Sequence, residues 1–162
     1  SSAGCATSGG SSSASTGGGK TKRIILLNNT ESPFWDAARA GIKQASEDLK
    51  LAEKGFAASM DSNTAKETGQ IELLRQYGTQ SDIAAVIISP ISATNAAIAE
   101  ELENLKKKGI IIGCFDSDLS EASQKIRDFY VGTNNVVAGR VLGTAAKAIK
   151  PGCEYVQFVG TD

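Results

Sequence analysis

Histidine is absent from this chain of 162 residues. That absence removes the commonest general base and the commonest protein metal ligand. No run of 18 apolar residues occurs, so no segment of this sequence has the apolar length of a bilayer-spanning helix. An excess of basic charge is missing too. Seventeen Lys and Arg against 18 Asp and Glu leave a net charge of -1, which excludes the basic footprint of a nucleic-acid surface. Cysteine is sparse. Cys5, Cys114 and Cys153 are too few and too scattered for a disulfide framework or a zinc site. Cys114 lies inside an apolar run and Cys153 just ahead of one, so both read as buried small hydrophobes.

Charge of either sign is also missing from Ser1 to Gly19, a tract of Ser, Gly, Ala and Thr with Cys5. It has almost no large apolar side chain to offset the entropy of ordering it, and residues 1–22 read as a Ser/Gly-rich flexible tether. The remainder suits one compact domain, or one and a fraction. Ala14-Ser-Thr-Gly-Gly-Gly-Lys20-Thr21 fits a relaxed phosphate-loop pattern, but it follows nothing regular and leads into a strand. A working phosphate loop follows a strand and opens a helix. No Gly-x-Gly-x-x-Gly follows the first strand either, so no dinucleotide cofactor is expected.

From Arg23 the chain alternates short apolar runs with helical patterns. Strands are predicted at Arg23–Leu27, Gly55–Met60, Ala84–Ser89, Gly109–Phe115, Asp128–Gly132 and Tyr155–Gly160. Ser32-Pro33 opens a helix with the apolar stripe Ala38, Ile42, Ala45 and Leu49. Thr64-Ala65-Lys66-Glu67 reads as a capping box for a second helix bearing Ile71 and Leu74. A third spans Ala93–Lys108, ending in three lysines before Gly109, and a fourth runs from about Val136 to Ile149. This order predicts an α/β fold, a doubly wound parallel sheet with helices on both faces.

Ligands of such sheets sit beyond the carboxyl ends of the strands, and the segments there are rich in groups that bind polyols. Phe34 and Trp35 stand at the start of the first helix. One can stack on a sugar ring and the other staple the helix to the sheet, since adjacent residues there point about 100° apart. Asp116 leaves the fourth strand, where a carboxylate can accept two adjacent hydroxyls. Asp118 has capping as its stronger alternative. Asn28 and Ser32 flank the same crevice, with Ser32 equally readable as an N-cap. Without histidine no nucleophile–base pair is visible, and Asp116 and Asp118 share one loop rather than opposing walls. Neither a catalytic residue nor a metal site is expected, and the chain does not read as an enzyme.

Ile24-Ile-Leu-Leu-Asn-Asn-Thr-Glu-Ser-Pro-Phe-Trp35, with Asp36-Ala-Ala-Arg-Ala-Gly41 behind it, resembles the first strand and helix of the ribose-type periplasmic sugar-binding proteins. The likeness continues through Asp61-Ser62, Ile87-Ile-Ser-Pro90, Gly113-Cys-Phe-Asp-Ser-Asp118 and Tyr130-Val-Gly-Thr-Asn-Asn135 to Arg140. These are solute receptors of ABC importers, with two similar lobes closing on a sugar around a hinge. The resemblance implies ligand contacts at Asn28, Ser32, Phe34, Trp35 and Asp116, joined by Ser117 and Asp118 of the same loop. Ribose binders carry Arg where Ser117 stands, so this loop is closer to the Asp-Ser-Asp loops of relatives that bind rhamnose-like sugars or autoinducer-2. The first crossover, or hinge, falls on Thr133, Asn134 and Asn135. Residues 23–133 then form the N-terminal sugar-binding lobe and residues 134–162 the start of a second, incomplete lobe, in a receptor of about twice this length.

Ser2-Ala3-Gly4-Cys5 resembles the end of a bacterial lipoprotein signal, with Ser2 where Leu is usual. Either Cys5 is acylated, holding the domain off a membrane surface on its neutral spacer, or it is an incidental cysteine in a tail. The implied function is extracytoplasmic monosaccharide binding for ABC permease subunits. The alternative is a sensor domain of the same fold, in which ligand binding serves signalling. A repressor relative would need an N-terminal helix-turn-helix, which Ser1 to Gly19 cannot form.

Overall fold

The computed structural model describes residues 20–64 and 66–156. Five parallel strands, β1 (Lys22–Leu27), β2 (Phe56–Asp61), β3 (Ile83–Ile88), β4 (Ile111–Phe115) and β5 (Phe129–Val131), lie in the order β2-β1-β3-β4-β5. The helices are α1 (Asp36–Asp48), α2 (Glu67–Gly78), α3 (Ala96–Lys107) and α4 (Asn135–Ile149), with a 3₁₀ segment at Glu121–Ile126. The predicted sixth strand, Tyr155–Gly160, falls mostly outside the described residues, as do Cys5 and Ser1–Gly19.

Strand alternation divides the sheet's two faces unequally. Ile25, Leu27, Val86, Ile88, Ile112 and Cys114 point to the α2–α3 side, where they meet Leu74, Ile98, Leu102 and Leu105 in the main core. All ten of these side chains are within 1% of complete burial, so truncating any of them leaves a cavity as well as losing transfer energy. Among the described residues, the opposite face is covered mainly by α1. Its Ala38, Ile42 and Ala45 line a groove of about 430 Å³ over Ile24, Leu26 and Ile87. The stripe expected on α1 is present, yet α1 has no buried residue, and Leu49 at its end is 54% exposed.

Helix boundaries follow from local chemistry, with two departures from expectation. The capping box at Thr64–Glu67 does not form: α2 begins after Lys66 with no side-chain cap, and Glu67 instead accepts from Asn95 Nδ2. Asn95 in turn caps α3, its Oδ1 accepting from the amides of Ala97 (2.9 Å) and Ile98 (3.2 Å). This places the α3 start at Ala96 rather than Ala93. The glycine stop is as expected. Gly109 sits at φ +82°, its amide bonds Lys106 O at 2.9 Å, and the Ile110 amide bonds Leu105 O at 3.3 Å.

Tyr77 closes the core beside β2, donating to Asp61 Oδ2 at 2.7 Å. Burial, then the bond to the Asp61 carboxylate, pushes its phenol well above the ordinary value. Folding therefore favours the neutral phenol. Its contribution is complete below the unfolded value of about 10 and is lost as pH rises above it. Stability should fall on the alkaline side of about pH 10, and Tyr77→Phe should flatten that limb in urea melts. The same steep fall in the Phe variant would assign it to another group.

Candidate functional site

β1 pairs with both β2 and β3, so successive connections leave it in opposite directions and open a crevice at its carboxyl end. The register aligns the strand ends there: Leu27 faces Asp61 and Ile88, and Ile88 faces Cys114. The residues that follow, Asn28, Ser62, Ser89 and Asp116, consequently converge, although they are widely separated in sequence.

Asn28 is fully buried and every polar group on it is used. Its amide donates to Asp61 O (3.2 Å), its Nδ2 donates to Ser62 Oγ (3.2 Å), and its Oδ1 accepts from the Asn63 amide (2.8 Å). Asn28 thus ties the loop after β1 to the loop after β2. Arg39 Nη2 donates to the same Ser62 Oγ at 3.0 Å and pairs with Glu31 at 3.1 Å, while its Nη1 meets Asp36 at 3.0 Å. Hydrogen bonding to Ser62 is the first cause, ahead of Arg39, of a Glu31 carboxyl below its ordinary range. This arrangement draws the start of α1 onto the strand ends.

Ser32 caps the segment Pro33–Trp35, its Oγ accepting from the Phe34 amide at 3.2 Å. The two aromatics then part company, as their angular offset requires. Trp35 is 4% exposed and meets Phe115 edge-on at 5.3 Å, while Phe34 is 70% exposed. Trp35 staples α1 to the sheet, and Phe34 packs edge-on against Trp35 at 4.9 Å while leaving most of its own ring to solvent.

Asp116 is exposed and holds a left-handed backbone, φ +58°, that L-residues seldom adopt and Asp tolerates better than most. Three contacts impose it. The Asp116 amide donates to Val131 O at 3.0 Å, Tyr130 OH donates to Asp116 O at 2.8 Å, and Ser89 Oγ donates to Asp116 Oδ2 at 3.1 Å. Ser117 Oγ reaches the same Oδ2 at 3.4 Å. Among the described residues, both side-chain bonds to this carboxylate fall on Oδ2. Asp118 is differently placed, because Arg127 Nε and Nη2 grip its two oxygens at 2.7 and 3.0 Å. Arg127 also lies 5.5 Å from the Tyr130 ring centroid, so the Asp118 pair braces the residue that holds Asp116.

Asn134 caps α4, its Oδ1 accepting from the Val137 amide at 3.1 Å. Thr133 O lies 3.4 Å from Tyr130 OH. Cys114 is buried, as expected, and burial raises its thiol to about 12, which makes it inert. Cys153 is only half-buried, in the turn after α4, a helix that itself has no buried residue among those described. Four contributors were not singled out as site residues from the sequence: Ser62, Gln70, Ser89 and Tyr130. Gln70 did leave a signal, since it shares the inward face of α2 with Leu74 and Tyr77, a polar residue where an apolar one was due.

A parallel sheet with polar side chains gathered at its switch point is shared by many α/β proteins. Sequence comparison narrows the choice. The profile described as periplasmic binding protein domain matches residues 24–162. The chain belongs to this family. No curated protein matches it closely. Among solved structures, a solute-binding protein of an ABC transporter from Burkholderia graminis, in complex with D-arabinose, is similar at 18% identity. The match covers 80% of this chain and 42% of that one, with a TM-score of 0.66. The XylFII-LytSN complex matches at 23% identity over 80% and 44% of the two chains, with a TM-score of 0.64. The fructose-binding periplasmic domain of a hybrid two-component system matches at 19% over 79% and 39%, with a TM-score of 0.65. At these identities the likeness establishes the fold, one lobe of a periplasmic binding protein. The chain spans about two fifths of the length of these structures.

Proposed function

We propose that this periplasmic binding protein is an extracytoplasmic receptor for a monosaccharide and delivers it to ABC permease subunits. The observation that carries the reading is the pairing of an exposed carboxylate, Asp116, with an exposed aromatic, Phe34, at the switch-point crevice. The carboxylate suits adjacent sugar hydroxyls and the ring suits the apolar face of a pyranose or furanose. Ser117 supplies a further hydroxyl beside Asp116. Asn28, Ser32, Trp35 and Asp118 support the site from behind, since their polar groups or rings are already engaged. Binding rather than catalysis is the role, and neither a metal nor a cofactor takes part.

Residues 23–133 form the sugar-binding lobe in this reading, Thr133, Asn134 and Asn135 the hinge, and residues 134–162 the start of a second lobe. The exposure of α4 supports that division, with Val136 at 65%, Val141 at 64% and Leu142 at 71%. A second lobe closing over Phe34 and Asp116 would desolvate the sugar and complete its hydrogen bonds. Cys5, behind its neutral spacer, is the proposed lipid anchor. A sensing role in place of transport is the second reading, favoured by the solved relatives from a two-component system and from the XylFII-LytSN complex.

Calorimetry of the complete natural protein against D-arabinose, D-xylose, D-fucose, D-fructose and L-rhamnose tests the proposal. One-to-one binding of at least one of them is expected. Heats indistinguishable from dilution for all five would remove the sugar reading.

A further inference from the structure

Between the loops that leave β1 and β3 lies one fully buried amide, Gln70. Its Nε2 donates to Asn28 O at 3.1 Å and to Ser89 O at 2.9 Å, while its Oε1 accepts from the Ile91 amide at 3.0 Å. Each partner is a main-chain group leaving the end of β1 or β3, where the sheet ladder has stopped and would leave it orphaned. Two donors and one acceptor in a fixed plane match two carbonyls and one amide, a set that no other side chain of this size supplies. Beyond these bonds, Asn28 holds Ser62 and Asn63, and Ser89 holds the Asp116 carboxylate.

We infer that Gln70 is a positioning residue of the sugar site, a three-point clamp that sets the spacing between the Asn28 and Ser89 loops. The inference rests on the sugar reading above. Through Ser89 Oγ the clamp fixes where Asp116 presents its carboxylate, so Gln70 governs affinity without touching the sugar. The charged groups tied to this chain of bonds are Asp116, on Ser89, Asp61, through its main-chain carbonyl, and Arg39 with its partners Glu31 and Asp36, on Ser62.

Gln70→Glu separates clamping from packing because it keeps the shape. An ionised Glu still accepts from Ile91 but repels the two carbonyls, whereas a protonated Glu regains one donor. Burial and the carbonyls raise its carboxyl above the ordinary Glu value. Carbonyl ¹³C shifts of Asn28 and Ser89 in the sugar-free complete protein should move at about pH 8 and return towards wild type at about pH 5. D-Arabinose, D-xylose and D-fucose affinity should drop at least about tenfold at the higher pH and recover with the same midpoint. The wild-type protein, carrying the same Asp61 and Asp116, supplies the baseline. Gln70→Leu should in addition speed exchange of the Ile91 amide, a change Gln70→Glu does not share.

Unmoved carbonyl shifts would overturn the clamp, and moved shifts with unchanged affinity would reduce Gln70 to packing. Should none of the sugars bind the wild-type protein, the sugar reading falls and takes the affinity link with it. The sugar-free shifts then decide loop spacing by themselves.

Discussion

Asp116→Asn should lose about 30-fold in sugar affinity while its melting temperature stays within about 2 °C of wild type. Asn accepts the left-handed backbone at φ +58° nearly as well as Asp, so the fold is spared. What disappears is charge. A hydrogen bond to an ionised acceptor contributes about 1 kcal/mol more than a neutral one, and two sugar hydroxyls double the effect. Ser89 and Ser117 both donate to Oδ2, and an amide oxygen can keep those bonds. Asp116→Val carries the opposite signature. A β-branched residue is strained at positive φ by about 1–2 kcal/mol, so stability falls along with affinity. Calorimetry and thermal melts of the two variants separate these effects. Wild-type affinity in Asp116→Asn would move the sugar site away from this loop.

The second large effect divides the neighbouring aromatics. Trp35→Ala should cost about 3–5 kcal/mol of stability, measured by urea unfolding, because a large buried ring is replaced by a cavity against Phe115. Phe34→Ala should change stability by less than about 0.5 kcal/mol, since that ring is 70% exposed. Its sugar affinity should nevertheless fall about tenfold, the loss of roughly 1.5 kcal/mol of apolar contact with a ring of the ligand. A Phe34→Ala variant that binds every sugar as tightly as wild type would leave the exposed ring without a role in recognition.

Much of the architecture was legible in the chain. Continuous apolar runs such as Arg23–Leu27 and Ala84–Ser89 read as strands of a parallel sheet, and the helical stripes between them as crossovers, although the face under α1 is only partly buried. The aromatic pair was legible as a pair of unequal roles, because a helix turn separates adjacent side chains by about 100°. Individual polar partners were harder to read. Thr64 and Asn95 are both good caps by type, one ahead of α2 and one ahead of α3, yet only Asn95 caps its helix, and its side chain also meets Glu67 of α2. Asp118 sits two residues from Asp116 in the same loop, yet Arg127 engages it and leaves Asp116 presented to solvent.

Sequence by itself determined the α/β order, and it pointed to the strand ends and to residues there with chemistry suited to a polyol. Periodicity and turn signals are local, and they survive without knowledge of neighbours. Tertiary structure alone decided which of those residues are free to meet a ligand. It buried Asn28 and Trp35, exposed Phe34 and Asp116, and brought Gln70 and Ser89 from distant segments to hold them. Those outcomes depend on hydrogen bonds between residues 19 to 42 positions apart, which no local pattern encodes. The absence of histidine, read first as the loss of a base and a metal ligand, fits a site built from amides, hydroxyls, one carboxylate and one exposed ring.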